Sequence, residues 1–144
     1  MAITRPISEE QAKLINPVTL AFLGDAVYSL WVRERLTLSG SGKAAELQRA
    51  ASVLLSARGQ SAFLERVLPM FTATEEEIFR RGRNAKKATK SKNASPAEYN
   101  RSTGFEAVIG YLYLTGQDER IDALLSQTDE KLLQGQAAQK AFKP

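Results

Sequence analysis

The chain has 144 residues, of which 43% are hydrophobic and 25% are charged, and its formal net charge is +4. This size and composition predict a single globular domain over residues 1–144. Cysteine and histidine are both absent, which excludes disulfides, thiolate nucleophiles, zinc–thiolate sites and histidine bases. A catalytic metal would need oxygen ligands, which favours Mg²⁺ or Mn²⁺, although a metal-free enzyme using lysine, tyrosine or paired carboxylates stays open. With no membrane-length apolar run and no secretory signal, we expect a cytoplasmic protein.

Helical patterns follow one another along the chain, and no strand-like alternation persists, so the predicted fold class is all-α. Capping boxes at Ser8–Gln11 and Thr74–Glu77 and the pair Asn16–Pro17 predict three helix starts. The predicted helices are a short one from Ser8, then 16–38, 43–57, a segment after Gly59 up to Pro69, 74–83, 101–116 and 118–133. A flexible basic connection over about 84–100 and a frayed tail over about 135–144 complete the prediction.

Two acidic residues stand alone inside apolar segments: Asp25 within residues 18–32, and Glu106 within residues 105–114. A helix without a polar face belongs in a core or at a subunit interface. A carboxylate placed there is costly unless it is paired or bound to a metal. Two central helices would bring both carboxyl groups together as a metal site. The competing explanations are a buried arginine partner for Asp25 and a helix-capping role for Glu106.

Between residues 78 and 97 the chain has seven basic residues and no acidic one: Arg80, Arg81, Arg83, Lys86, Lys87, Lys90 and Lys92. Without these seven, the formal net charge of +4 becomes −3, so the basic character is local. Such a cluster indicates contacts with a nucleic-acid backbone; the alternative is a solvated loop without a partner. The larger aromatic residues are interpreted as core or interface packing rather than base-stacking platforms: Tyr28, Trp31, Tyr111 and Tyr113.

Several segments resemble a known family. Phe22–Val27 (FLGDAV) resembles the signature helix of ribonuclease III, and Phe105–Gly110 (FEAVIG) resembles its second acidic segment. Arg80–Lys86 (RRGRNAK) and Ser102–Ala107 (STGFEA) narrow the resemblance to mini-ribonuclease III, the small branch without a separate double-stranded-RNA-binding domain. The length of 144 residues leaves no room for such a domain, which agrees with this branch.

The resemblance implies an all-helical, magnesium-dependent endonuclease that acts as a homodimer on double-stranded RNA, with manganese as a substitute ion. It implies precursor 23S ribosomal RNA as the substrate, ribosome biogenesis as the setting, and products with 5′-phosphate and 3′-hydroxyl ends. Asp25 and Glu106 match the family's catalytic, metal-binding carboxylates. Phe22 matches an aromatic residue that packs across the dimer interface.

The basic cluster would then supply the backbone contacts that a second domain provides in larger enzymes, through Arg80, Arg81, Arg83, Lys86, Lys87 and Lys90. Arg101, Ser102 and Thr103 precede Glu106 and are predicted to touch phosphate near the cut.

Two positions depart from the larger enzymes, because Ala21 and Thr103 replace a glutamate and an aspartate. The small branch shares this thinner acidic set, which leaves more of the metal's shell to water or phosphate oxygen, as magnesium accepts. Two alternatives remain: a ribonuclease III-like module that binds ribosomal RNA without cutting it, and a protein-interaction module whose basic run is incidental.

Overall fold

The computed structural model describes residues 5–39, 42–87 and 94–128. Throughout these ranges the regular structure is helical and no strand occurs, which confirms the predicted all-α class. The helices are α1 Glu9–Lys13, α2 Pro17–Leu38, α3 Ala44–Leu55, α4 Ala57–Val67, α5 Ala73–Asn84, α6 Pro96–Leu114 and α7 Asp118–Leu125, with a 3-10 turn Leu68–Met70 after α4. None of the helices in the described part of the chain has the length and apolar character needed to cross a membrane.

The first two helices start where local signals predict. Ser8 caps α1 by accepting a hydrogen bond from the Gln11 amide, and the Gln11 side chain closes the capping box. The Asn16 side chain accepts from the Val18 amide at 2.8 Å, and Pro17 is the first residue of α2. Both predictions are confirmed, as is the end of α2 at Leu38. Short-range chemistry therefore determines these boundaries.

The predicted start of α5 at Thr74–Glu77 is wrong by two residues, because Thr72 is the N-cap and Glu75 completes the capping box. Glu75 is only 3% exposed. Its two carboxylate oxygens accept hydrogen bonds at 2.8 Å from Arg120, at the start of α7. This buried, bidentate ion pair favours Glu75, among the adjacent acidic residues, as the partner of Thr72 in the capping box.

The prediction that Gly59 interrupts the helical pattern is also wrong. Gly59 lies inside α4, and its amide donates to the hydroxyl of Ser56, the N-cap residue. A β-carbon at Gly59 would overlap the carbonyl oxygen of Val53. The glycine therefore allows α4 to follow α3 closely, and α3 ends at Leu55 instead of Ala57.

Helix α6 begins at Pro96, five residues before the predicted start near Arg101. Ser95 and Glu98 form a capping box, and Pro96 is the first helical residue. Ordinary helix-start signals therefore lie inside the polar segment whose composition predicts a loop. Helix α7 ends at Leu125, short of the predicted 133. Residues 88–93 of the predicted flexible connection and the predicted tail 135–144 lie outside the described residues.

Helix α6 is the centre of the fold and packs against α2, α5 and α4. It crosses α2 where Gly24 and Gly110 allow backbone-to-backbone approach, since a β-carbon at either position would overlap a carbonyl oxygen of the other helix. The Phe105 ring packs edge-on against Tyr28, with centroids 5.2 Å apart, and against Phe63 at 5.5 Å. The predicted packing roles of the larger aromatic residues are confirmed: Tyr28 and Tyr111 are buried, and Trp31 and Tyr113 pack against the core.

Helix α2 buries one side and leaves apolar side chains uncovered on the other. Leu20, Tyr28 and Val32 are fully buried. By contrast, Phe22 is 82% exposed and Leu38 is 72% exposed. Helix α2 therefore lacks a polar face although one copy of the chain buries only part of its apolar surface.

Candidate active site

The crossing of α2 and α6 opens into a cleft of about 450 Å³. Asp25 comes from α2, Gln60 from α4 and Glu106 from α6, while Lys87 follows the end of α5. Phe22 lies on the rim beside Asp25. Four segments distant in sequence therefore contribute polar side chains to one concave surface.

The structure brings the two lone acidic residues together, as expected from their helices. Asp25 is exposed and Glu106 is half-buried, and their carboxyl groups are in hydrogen-bonding contact. Burial, this hydrogen bond and the charge of Asp25 raise the pKa of Glu106 from 4.5 to about 9. Burial and the nearby Glu106 also raise the pKa of the Tyr28 hydroxyl. Without a cation, the pair therefore keeps a proton at neutral pH.

Gln60 is a member of this site that the sequence analysis missed. Its amide Nε2 donates to Glu106 Oε2 at 3.2 Å, which favours the ionised carboxylate and opposes the other effects on the pKa of Glu106. The residue is 2% exposed. It shares the buried face of α4 with Phe63, Leu64 and Val67. In the sequence, the signal for this residue is a single polar side chain at a position where the helical spacing of its neighbours predicts an apolar one.

The competing explanations for the two acidic residues find no support in the described residues. Asp25 forms no ion pair with an arginine there. Glu106 lies in the interior of α6 and does not cap a helix.

The donor set instead suits a divalent cation that prefers oxygen. Two adjacent carboxyl groups, of which Glu106 keeps its proton at neutral pH, would both be stabilised as carboxylates by a positive ion that they hold. Within residues 5–39, 42–87 and 94–128, no group of three or more acidic side chains gathers as a metal site. Asp25 and Glu106 therefore fit an ion that keeps much of its water shell, as magnesium does.

Among the predicted RNA-binding residues, the structure places Lys87, Ser102 and Thr103 in the cleft. The Lys87 ammonium donates to the carbonyl oxygens of Arg83 at 3.0 Å and Ala85 at 2.6 Å, and burial lowers its pKa. The hydroxyls of Ser102 and Thr103 both donate to the carbonyl oxygen of Tyr99, at 2.8 and 3.0 Å. Lys87 thus lines the same cleft as the acidic pair, with its ammonium group held by two backbone carbonyls.

Two other predicted RNA-binding arginines hold helices together. Arg81 donates to the carbonyl oxygens of Lys13 and Ile15, at 3.0 and 3.4 Å, and so joins α5 to the α1–α2 connection. Arg101 donates to the Ser61 hydroxyl at 3.0 Å and pairs with Glu65 on α4. Their contacts with RNA stay predictions.

The remaining basic residues lie near the end of α5 or beyond it. Arg80 and Lys86 are exposed. The guanidinium of Arg83 stacks over the Phe79 ring, 5.6 Å from its centroid. Lys90 and Lys92 lie outside the described residues.

Comparison with known proteins identifies the class of protein. The profile of the ribonuclease III domain matches residues 18–117, which is more than half of the chain. A solved structure, that of protein FN1578 from Fusobacterium nucleatum, superposes with a TM-score of 0.74 at 26% sequence identity, covering 80% of this chain and 93% of that one. The fold and the domain match therefore define a ribonuclease III-type endonuclease domain.

Proteins of similar sequence indicate the branch of this class to which the chain belongs. The mini-ribonuclease 3 of Symbiobacterium thermophilum is 47% identical over 122 residues, which cover 85% of this chain and 94% of the relative. That of Streptococcus pneumoniae is 45% identical (83% and 94% covered), and that of Staphylococcus aureus is 41% identical (83% and 90% covered). The chain belongs to the ribonuclease III family, in its mini-ribonuclease III branch, and is an endoribonuclease.

Proposed function

We propose that this endoribonuclease cleaves double-stranded RNA at the Asp25–Glu106 cleft in a magnesium-dependent hydrolysis, with manganese able to replace magnesium. The observation that carries the proposal is the contact between two carboxyl groups from separate helices, in a cleft that also holds Lys87. The biological setting we propose is maturation of the 23S ribosomal RNA precursor in the cytoplasm. The name of the mini-ribonuclease 3 relatives supports the cleavage of RNA.

In this mechanism Asp25 and Glu106 would hold the cation, and Glu106 would release its proton for that role. When bound, the ion lowers the pKa of a water molecule and offsets negative charge on the phosphate. Lys87 adds a second positive charge whose position is fixed by two backbone carbonyls. Gln60 orients Glu106 by donating a hydrogen bond to its Oε2. Hydrolysis leaves a 5′-phosphate and a 3′-hydroxyl.

Recognition of the substrate depends on the shape of the duplex, because A-form RNA exposes its backbone and 2′-hydroxyls across a wide, shallow minor groove. The exposed Arg80 and Lys86 contact phosphates of the duplex backbone. A homodimer presents two such clefts, one for each strand. The 82% exposure of Phe22, an aromatic side chain at the rim of the cleft, supports a subunit interface at this position.

The variant Asp25→Asn tests the metal-holding role. We expect cleavage of duplex RNA to fall by more than about 100-fold, since changes to outer-shell groups alone cost roughly 10–100-fold. RNA affinity in a gel-shift assay should stay within about twofold, and magnesium should no longer raise the melting temperature, because a ligand stabilises only the state it binds.

Glu34→Gln, on the exposed part of the same helix, makes the same kind of change and should leave all three properties intact. Cleavage by Asp25→Asn at the wild-type rate would refute the assignment. RNA binding by the wild-type protein without any cleavage would instead favour the non-cutting ribosomal-RNA module.

The double variant Arg80→Ala, Lys86→Ala tests the RNA path. Each phosphate contact releases counterions, so the slope of log affinity against log salt should become shallower by roughly 1 per cation removed. Fluorescence anisotropy with labelled duplex RNA at several salt concentrations measures this slope. The control Lys43→Ala, Arg49→Ala removes two exposed cations on or next to α3. RNA affinity that does not weaken with added salt in the wild-type protein would point to the protein-interaction alternative.

A further inference from the structure

Gln60 is a buried polar residue on a helix face that is otherwise apolar. It is 2% exposed and lines the cleft beside Glu106. Burial of an amide is costly unless its donors and acceptor are satisfied. An apolar residue would fill the same space without this cost, so the retained amide needs an explanation in its hydrogen bonds.

The orientation of the Gln60 amide is determined by a backbone group. Leu55 O, at the end of α3, lies 3.0 Å from Nε2. A carbonyl oxygen only accepts hydrogen bonds, so the NH₂ end of the amide must face it. The same nitrogen donates its second hydrogen to Glu106 Oε2 at 3.2 Å. The end of α3 thereby holds a donor against one particular oxygen of Glu106.

The other end of the amide is unsatisfied. Gln60 Oε1 is buried and has no hydrogen-bond partner among the described residues. A buried acceptor without a donor costs free energy, so the amide at position 60 contributes through the two hydrogen bonds of its nitrogen and not through this oxygen.

We propose that Gln60 is a positioning residue of the metal site. Its Nε2 holds the Glu106 carboxylate in the orientation in which it would face the cation. This inference rests on the proposed function, because it requires a cation at Asp25 and Glu106. It assigns to α4 a contribution to metal affinity, whereas the two ligands come from α2 and α6.

The test is Gln60→Met, which keeps the length of the side chain and removes both polar ends. We expect the magnesium concentration for half-maximal cleavage to rise about tenfold, since loss of an outer-shell partner costs roughly 10–100-fold in metal affinity. The rise in melting temperature at a fixed magnesium concentration should shrink, and excess magnesium should restore the rate. Affinity for duplex RNA without divalent ions should not change. Gln127→Met, an exposed position, is the matched control.

Three results would overturn the inference. They are an unchanged magnesium dependence, a loss of rate that excess magnesium does not restore, and a parallel loss of RNA binding that marks a structural defect. Gln60→Leu repeats the measurements if the methionine variant does not fold. Measurements on the wild-type protein separate the two proposals. If the wild-type protein neither gains stability from magnesium nor cleaves RNA, the proposed function fails. If the wild-type protein does both and Gln60→Met shows the same magnesium dependence, only the role of Gln60 is rejected.

Discussion

Gly24→Ala is expected to destabilise the protein by about 3 kcal/mol or more, at the upper end of the cost of overpacking. The new β-carbon would overlap the carbonyl oxygen of Glu106 and lie 2.8 Å from the amide nitrogen of Gly110. Both atoms belong to the backbone of α6 and cannot rotate away, so the two central helices must separate. The roughly 1 kcal/mol that alanine gains in helix propensity does not offset this. Separation also pulls Asp25 away from Glu106, so cleavage should fall with stability.

Urea denaturation monitored by circular dichroism measures the first effect, and cleavage of duplex RNA measures the second. Ala26→Ser adds an atom at an exposed position two residues along the same helix and should change stability by no more than about 0.5 kcal/mol. A Gly24→Ala protein with wild-type stability and activity would show that the close contact between α2 and α6 is dispensable.

Glu106→Gln is expected to remove cleavage and yet stabilise the metal-free protein at pH 8 by about 2–4 kcal/mol. The folded protein raises the pKa of Glu106 from 4.5 to about 9, through burial and the neighbouring Asp25. Below pH 4.5 the group is protonated in both the folded and the unfolded chain. As the pH rises toward 9, only the unfolded chain gives up the proton, so the wild-type protein loses stability over this range. Glutamine has no proton to lose, so the gain of the variant grows with pH.

Thermal melts in a chelator at pH 5 and pH 8 measure the difference, with Glu10→Gln, an exposed acidic residue of α1, as the control. Added magnesium should narrow the difference at pH 8, because the ion stabilises only the carboxylate that it binds. A stability difference that is the same at both pH values would contradict the raised pKa of Glu106.

Much of the site can be predicted from the sequence, because the charge of an acidic residue inside an apolar helix must be offset by a partner or a metal ion. Asp25 and Glu106 were identified in this way, and the segments around them indicated the ribonuclease III family, which the comparisons confirm. Gln60 cannot be predicted in the same way, because glutamine is common on helix surfaces. Only its place beside Phe63 and Leu64 on the buried face distinguishes it.

The sequence by itself determined the helical class, the limits of α2 and the two residues of the acidic pair. These depend on signals within a few residues, such as the Asn16 cap and the proline after it. Only the tertiary structure decided that Glu75 caps α5, that Gly59 lies within a helix, and that Arg81 and Arg101 join helices. In each case the structure depends on a contact with a residue remote in sequence or with the backbone of an adjacent helix. The helix propensity of the local sequence carries no information about such contacts.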